Sequence, residues 1–397
     1  MRSASRKIRI DLLIYMLLLV SPVYAHALSA PSGTAHFILD GNRVYAQVAF
    51  VLPDGRARKT LVFVDLGSPS MVLSKKLYDD LHLGAGNLLT FRVKEMDVTV
   101  ESTAVTSDAW LPFSIGDGRK VEGLLAAGVL QRYQLRFDYA HRTMTLAQPG
   151  TLRSQGNAVP FRLNEKTGLI AIDAKIDGQL YPMTVDNGSG YTWIRKSAAQ
   201  PWLSRHPHWL RGTGAVGPSN MRMADDGVET AGALVRIPEV ALGPLRVQQV
   251  GALAIAPDES GHDFMDWYST KNVVPVIGWL GGNVLRHFQI TIDYADRISY
   301  WVRQSALDPH DLDYIGLTLM SRHGEYFVAG IATQDGKPTV QGVRVGDKLL
   351  QIGALDTHGA SREAMFFGMR GKPGEIRSLI LERDNRRIRL PVNVTAF

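Results

Sequence analysis

From about residue 33 onward, apolar positions come in short alternating runs, broken by Gly, Pro and Asp-Gly pairs. Alternation with a period of two marks strands that bury one face, and turn residues between such runs favour antiparallel hairpins. Residues 43–51 and 59–64 flank Pro53-Asp54-Gly55, and residues 169–176 and 180–185 flank Asp177-Gly178. Each pair of runs predicts a hairpin. The expected fold class is mainly β.

Each hairpin leads into the same kind of turn. Val64-Asp65-Leu66-Gly67-Ser68 and Val185-Asp186-Asn187-Gly188-Ser189 both end an apolar run with a carboxylate, a glycine and a serine. Further on, the stretch 130–140 (LQRYQLRFDYA) aligns without a gap on 285–295 (LRHFQITIDYA). The chain therefore carries a duplicated unit with one Asp-x-Gly-Ser turn per copy. Such a unit can bring Asp65 and Asp186 face to face. Two carboxylates in contact cannot both ionise comfortably, so they share a proton and can serve as acid and base together. Gly67 and Gly188 permit close backbone approach. Ser68 and Ser189 are expected to donate hydrogen bonds to the outer carboxylate oxygens.

The copies differ in length. The second carries 34 more residues than the first between its carboxylate turn and its closing strand. Residues 198–236, rich in Pro, Gly, Trp and His, are the expected lid or binding loop. Within them, Gly212-Thr213-Gly214-Ala215-Val216-Gly217 fits a dinucleotide fingerprint, but neither a strand before it nor a helix start after it supports that reading. His206-Pro207-His208 lacks the carboxylates or thiols of a metal site and is expected to be a solvated loop. Tyr191 and Trp193 alternate after the second turn and are expected in the core before any subsite. Residues 305–313 read as a polar linker, and 314–397 form a third unit of domain size.

Composition narrows the chemistry. The 397 residues contain no cysteine, which removes disulfides, thiol nucleophiles and thiolate metal sites. The net charge of +6 is spread along the chain, and the basic run 383–389 is expected to flank a strand turn, so no nucleic-acid partner is expected. No metal or other cofactor is expected. At the N-terminus, Arg2, Arg6, Lys7 and Arg9 precede a short apolar run and small residues at 23–27, the pattern of a cleaved export signal. The mature chain is expected in the periplasm or outside the cell, without stable membrane insertion.

These residues resemble the two lobes of a pepsin-like or retropepsin-like aspartic peptidase. In that family each lobe supplies an Asp-Thr-Gly or Asp-Ser-Gly turn and a hydrophobic-hydrophobic-Gly segment that crosses beneath it. Trp279-Leu280-Gly281 matches the crossing segment in the second copy, and Leu124-Leu125-Ala126 takes its place in the first. The third unit is similar to a PDZ domain of exported bacterial proteases. Tyr314-Ile315-Gly316-Leu317-Thr318-Leu319 matches its carboxylate-binding loop and peptide-pairing strand, and the stretch 342–352 matches its Gly-Asp segment. The resemblance implies bilobal β-barrels plus a C-terminal α+β PDZ domain. The units are a signal peptide at 1–27, lobes at 28–155 and 156–303, and the PDZ domain at 304–397. It implies an endopeptidase with Asp65 and Asp186 as catalytic pair, peptide or protein substrates, and peptide tails held as an added strand in the PDZ groove.

Three positions depart from the family. A Thr or Ser after each catalytic Asp normally ties the two turns together, but here the positions hold Leu66 and Asn187. Leu66 cannot hydrogen-bond through its side chain, whereas Asn187 can. Ala126 adds a methyl where a Gly is expected. A catalytically inactive peptide-binding relative of the same fold is the alternative expectation.

Overall fold

The computed structural model describes residues 31–397 except 85, 117, 215–230, 258–260 and 262. The expected signal peptide and the second half of the glycine-rich motif lie outside the described residues. The fold is mainly β. Both expected hairpins form: strand Arg43–Val51 pairs with Ala57–Asp65, and Ile170–Ile176 with Gln179–Val185. Asp177 and Gly178 both take positive φ (49° and 80°), the backbone that a two-residue hairpin turn demands.

Beneath each carboxylate turn runs the crossing segment. Strand Lys120–Ala126 lies parallel to Ala57–Asp65 and places Ala126 opposite Asp65. Strand Gly278–Leu280 lies parallel to Gln179–Val185, with Leu280 opposite Val185. In the second copy a side chain at Gly281 would come within 2.2 Å of the Tyr191 backbone, so glycine is required there. In the first copy the Ala126 methyl is fully buried among Tyr45, Phe63, Val121 and Leu124, which accommodate it.

The duplicated stretches meet each other. Strand Gln134–Asp138 pairs antiparallel with Phe288–Asp293, in the register Gln134↔Asp293, Arg136↔Thr291 and Asp138↔Gln289. Gln134 and Gln289 are equivalent in the two copies, as are Asp138 and Asp293. The register therefore describes a local two-fold axis beside the Arg136–Thr291 pair. Gln289 Nε2 donates to Asp138 Oδ2 at 2.7 Å, and Gln134 Nε2 donates to Asp293 in the mirrored bond. Thr143–Ala147 and Ser32–Asp40 extend the sheet on one side, Ile298–Arg303 and Asn157–Leu163 on the other. Alternate side chains of these strands, among them Leu135, Phe137, Ile290, Ile292 and Trp301, enter a single apolar core that crosses both copies. Each such large side chain contributes roughly 1.5–3 kcal/mol on burial.

The C-terminal unit has its own core. Strands Leu317–Arg322, Glu325–Ile331, Lys348–Ile352, Ile376–Arg383 and Arg386–Asn393 form its sheet in that order. Helix Arg362–Met369 starts at Ser361, whose hydroxyl accepts from Ala364 N, and packs Met365 and Met369 against Leu317, Val328, Leu349 and Leu381. The basic run 383–389 flanks the turn at Asp384 and Asn385, as expected.

Two expectations need correction. Residues 305–313 are not a plain polar linker: Asp311 and Asp313 are buried. Asp311 binds Arg236 Nη1 at 2.5 Å and accepts from Asn283 Nδ2 at 2.8 Å, while Asp313 accepts from Phe397 N at 2.8 Å. These carboxylates are anchors, so the connection is pinned to the second copy. The described part of the expected lid also packs on that copy. Helix Lys196–Arg205 buries Trp202, whose Nε1 donates to the Tyr181 hydroxyl at 3.0 Å, and Leu210–Thr213 adds to strand Ala233–Leu242. Among the described residues, no helix is long and apolar enough to cross a membrane.

Candidate active site

The two carboxylate turns meet where the copies face each other. Each aspartate lies against the glycine of the opposite turn. A β-carbon on Gly67 would stand 2.4 Å from Asp186 Cγ, and one on Gly188 would stand 2.3 Å from Asp65 Cγ. Only glycine lets the carboxyls come together. Asp186 is 8% exposed, while Asp65 is partly open to the cleft.

Backbone N–H groups serve the inner oxygens. Gly67 N donates to Asp65 Oδ1 at 2.8 Å. Gly188 N and Ser189 N both donate to Asp186 Oδ1, at 2.8 and 3.1 Å. The expected role of the serine hydroxyls is not seen. Ser68 Oγ donates to Ser70 O and Ser189 Oγ to Tyr191 O, so each hydroxyl braces its own turn. A backbone N–H needs no side-chain ordering and already faces the carboxylate across the tight turn, which is why it takes the bond.

Burial and the neighbouring Asp186 charge push Asp65 well above the usual carboxylate range. Burial raises Asp186 as well, but a hydrogen bond from Asp65 and the N–H groups of Gly188 and Ser189 pull it back. Both carboxyls are thus raised, and the pair holds one proton between them. The two titrate as one unit.

The missing hydroxyl grip is half replaced. Leu66 N donates to Asn187 Oδ1 at 2.8 Å, a bond from the first copy to the second. The reverse bond is absent, since the Leu66 side chain enters the apolar core. Asn187 Nδ2 is buried without a partner among the described residues.

A cleft of about 400 Å³ opens on the dyad, walled by Phe63, Trp110, Phe264, Trp267 and Trp279. Much of this wall was not expected from sequence. It comes from the short helix Phe264–Ser269, capped by Asp263, where aromatics at 264, 267 and 268 were the available signal. Tyr191 is buried with its hydroxyl on Asp311 O, as expected of a core residue, whereas Trp193 is only half-buried and stacks on Trp279 with ring centres 5.0 Å apart. His206 sits 2.9 Å from Asp177 and stacks on Trp209, and no metal-binding cluster occurs among the described residues.

The residues expected to hold a peptide tail lie elsewhere. Tyr314 is backbone-bridged to Arg370 and Thr395, and Ile315 N donates to Met369 O at 2.9 Å. Gly316 has φ +76° and accepts from Ala332 N, while Leu317, Thr318 and Leu319 are buried in the strand beside Glu325–Ile331.

No protein-family model matches this chain, and no curated protein matches it. Among solved structures it is similar to basic 7S globulin from soybean, at 10% identity and a TM-score of 0.41, over 70% of this chain and 95% of that one.

Proposed function

We propose that this chain is an exported aspartic endopeptidase that hydrolyses peptide bonds with Asp65 and Asp186. The observation that carries the reading is the crossed packing of each aspartate on the opposite turn's glycine, which brings the two carboxyls together at the foot of an aromatic cleft. In the reaction, the ionised member of the Asp65–Asp186 pair takes a proton from a water held between the carboxyls, and the water oxygen attacks the scissile carbonyl carbon. The protonated member gives its proton to the carbonyl oxygen. The resulting diol then collapses: the carboxyl that took the water proton passes it to the leaving amine as the carbon–nitrogen bond breaks, and a diol hydroxyl returns its proton to the other carboxyl as the carbonyl reforms. General acid–base assistance of this kind contributes typically ~10²–10⁴-fold. Phe63, Trp110, Phe264 and Trp267 give the cleft an apolar wall for a substrate side chain. The C-terminal unit, read as a PDZ domain, would receive peptide tails along 314–319.

A second reading, a peptide-binding relative that does not cut, is favoured by one observation: the grip between the turns is single, with Leu66 contributing only its backbone. The two readings separate on incubating the mature chain with a mixed peptide library between pH 3 and 7, beside an Asp186→Asn variant. New termini from the parent and none from the variant support the peptidase. Identical peptide maps leave the binding protein.

A further inference from the structure

The carbonyl of each dyad glycine accepts a side-chain hydrogen bond from the opposite lobe. Arg43 Nε donates to Gly188 O at 3.1 Å, and the Tyr268 hydroxyl donates to Gly67 O at 3.0 Å. Arg43 opens strand Arg43–Val51 and is 4% exposed, with Nη1 on Gly41 O. Tyr268 is 4% exposed, its ring held by Trp279 and Phe264 at centroid distances of 5.3 and 5.9 Å. We propose that Arg43 and Tyr268 are positioning residues for the acid pair, each aiming the peptide that follows the opposite glycine, and that together they stand in for the grip lost at Leu66.

The physical argument runs through the planar peptide. In a trans peptide, C=O and N–H point in opposite directions, so fixing one fixes the other. The peptide whose oxygen Arg43 holds is the one whose N–H, that of Ser189, donates to Asp186 Oδ1 at 3.1 Å. The peptide whose oxygen Tyr268 holds carries the N–H of Ser68, which closes the first turn on the Asp65 backbone oxygen at 3.4 Å and so lies against the Asp65 carboxyl, whose pKa it lowers as Gly67 N does. A donor on the carbonyl also polarises the peptide and strengthens the bond its N–H makes. Arg43 adds a positive charge that favours the ionised form of Asp186. On its other side Arg43 faces Asp40 and Glu363.

This inference rests on the peptidase reading for its kinetic arm but not for its spectroscopic one. In Tyr268→Phe, which keeps the ring and loses only the hydroxyl, kcat on a peptide cleaved by the parent should fall about tenfold with KM little changed. The acidic limb of the pH profile should move up in Arg43→Met, because Asp186 loses an aimed donor and a nearby cation, and Arg43→Lys should restore part of the shift. Unchanged kcat and pH profile alongside a lowered melting temperature would mark both residues as merely structural and overturn the proposal. Should the parent cut no peptide, the peptidase reading fails while the proposal is still decided by carboxyl ¹³C NMR of the dyad. A titration displaced in Tyr268→Phe and Arg43→Met supports it, and curves superimposed on the parent's overturn it.

Discussion

Leu66 gives its backbone N–H to the side chain of Asn187, 2.8 Å away in the other copy, and its own side chain gives nothing in return. Asn187 is 1% exposed, and its Nδ2 has no partner among the described residues, so the contact combines a needed acceptor with a costly idle donor. Replacing Asn187 with Ala should destabilise the fold by ~1–3 kcal/mol, since Leu66 N would be buried unsatisfied. Asn187→Thr keeps an acceptor and removes the idle amide, and should leave stability level with the parent or above it. Denaturant melts of the two variants check the contrast.

The crossed glycines predict a geometric lesion. In Gly188→Ala the new methyl would meet the Asp65 carboxyl at 2.3 Å, forcing the pair apart. A displacement of about 1 Å at reacting groups can cost ~10²-fold in rate, so on the proposed peptidase reading hydrolysis should fall by at least that much in a chain that still folds. Asp65, released from its neighbour's charge, should titrate closer to an ordinary aspartate. Activity assays with carboxyl NMR of the variant test both halves.

The C-terminal helix should respond to pH. Burial, together with a hydrogen bond and repulsion from Asp40, raises Glu363 from 4.5 to about 8. Because the folded value lies above the unfolded one, the contribution of the protonated contact is complete below about 4.5 and is lost as pH rises through about 8. Hydrogen exchange in helix Arg362–Met369 should therefore be slower at pH 5 than at pH 9 once corrected for intrinsic rate. Glu363→Gln should flatten the difference.

The buried Arg236–Asp311 pair predicts a large loss on one-sided removal. Both side chains are under a tenth exposed, and Asn283 and Phe397 O also depend on them. Arg236→Met should cost ~3–5 kcal/mol by leaving Asp311 charged and uncompensated. Adding Asp311→Asn should recover part of that. Chemical denaturation of the single and double variants gives the coupling.

The hairpins, the crossing segments and the duplicated strands were legible because each is written locally, in period-two alternation and in turn residues that admit few backbones. The meeting of Asp65 with Asp186 was legible only through the repeat, which supplied long-range information that neither turn holds alone. The roles of Ser68 and Ser189 were misread because residue type shows a capable donor but not the backbone N–H that reaches the acceptor first. Arg43 and Tyr268 gave no signal: each acts through a partner more than a hundred residues away, on an ordinary carbonyl. Asp311 and Asp313 looked like linker residues because burial of a carboxylate depends on the cation or N–H brought to it by distant chain.

The ladder between Gln134–Asp138 and Phe288–Asp293 limits where this molecule can grow. One residue added to either strand would advance half the molecule by ~3.3 Å and turn its side chains to the wrong face. Gln134 would then miss Asp293, Gln289 would miss Asp138, and the two acidic turns would no longer be level. Length can be gained only in segments off the shared axis, which is where the second copy has stored its surplus.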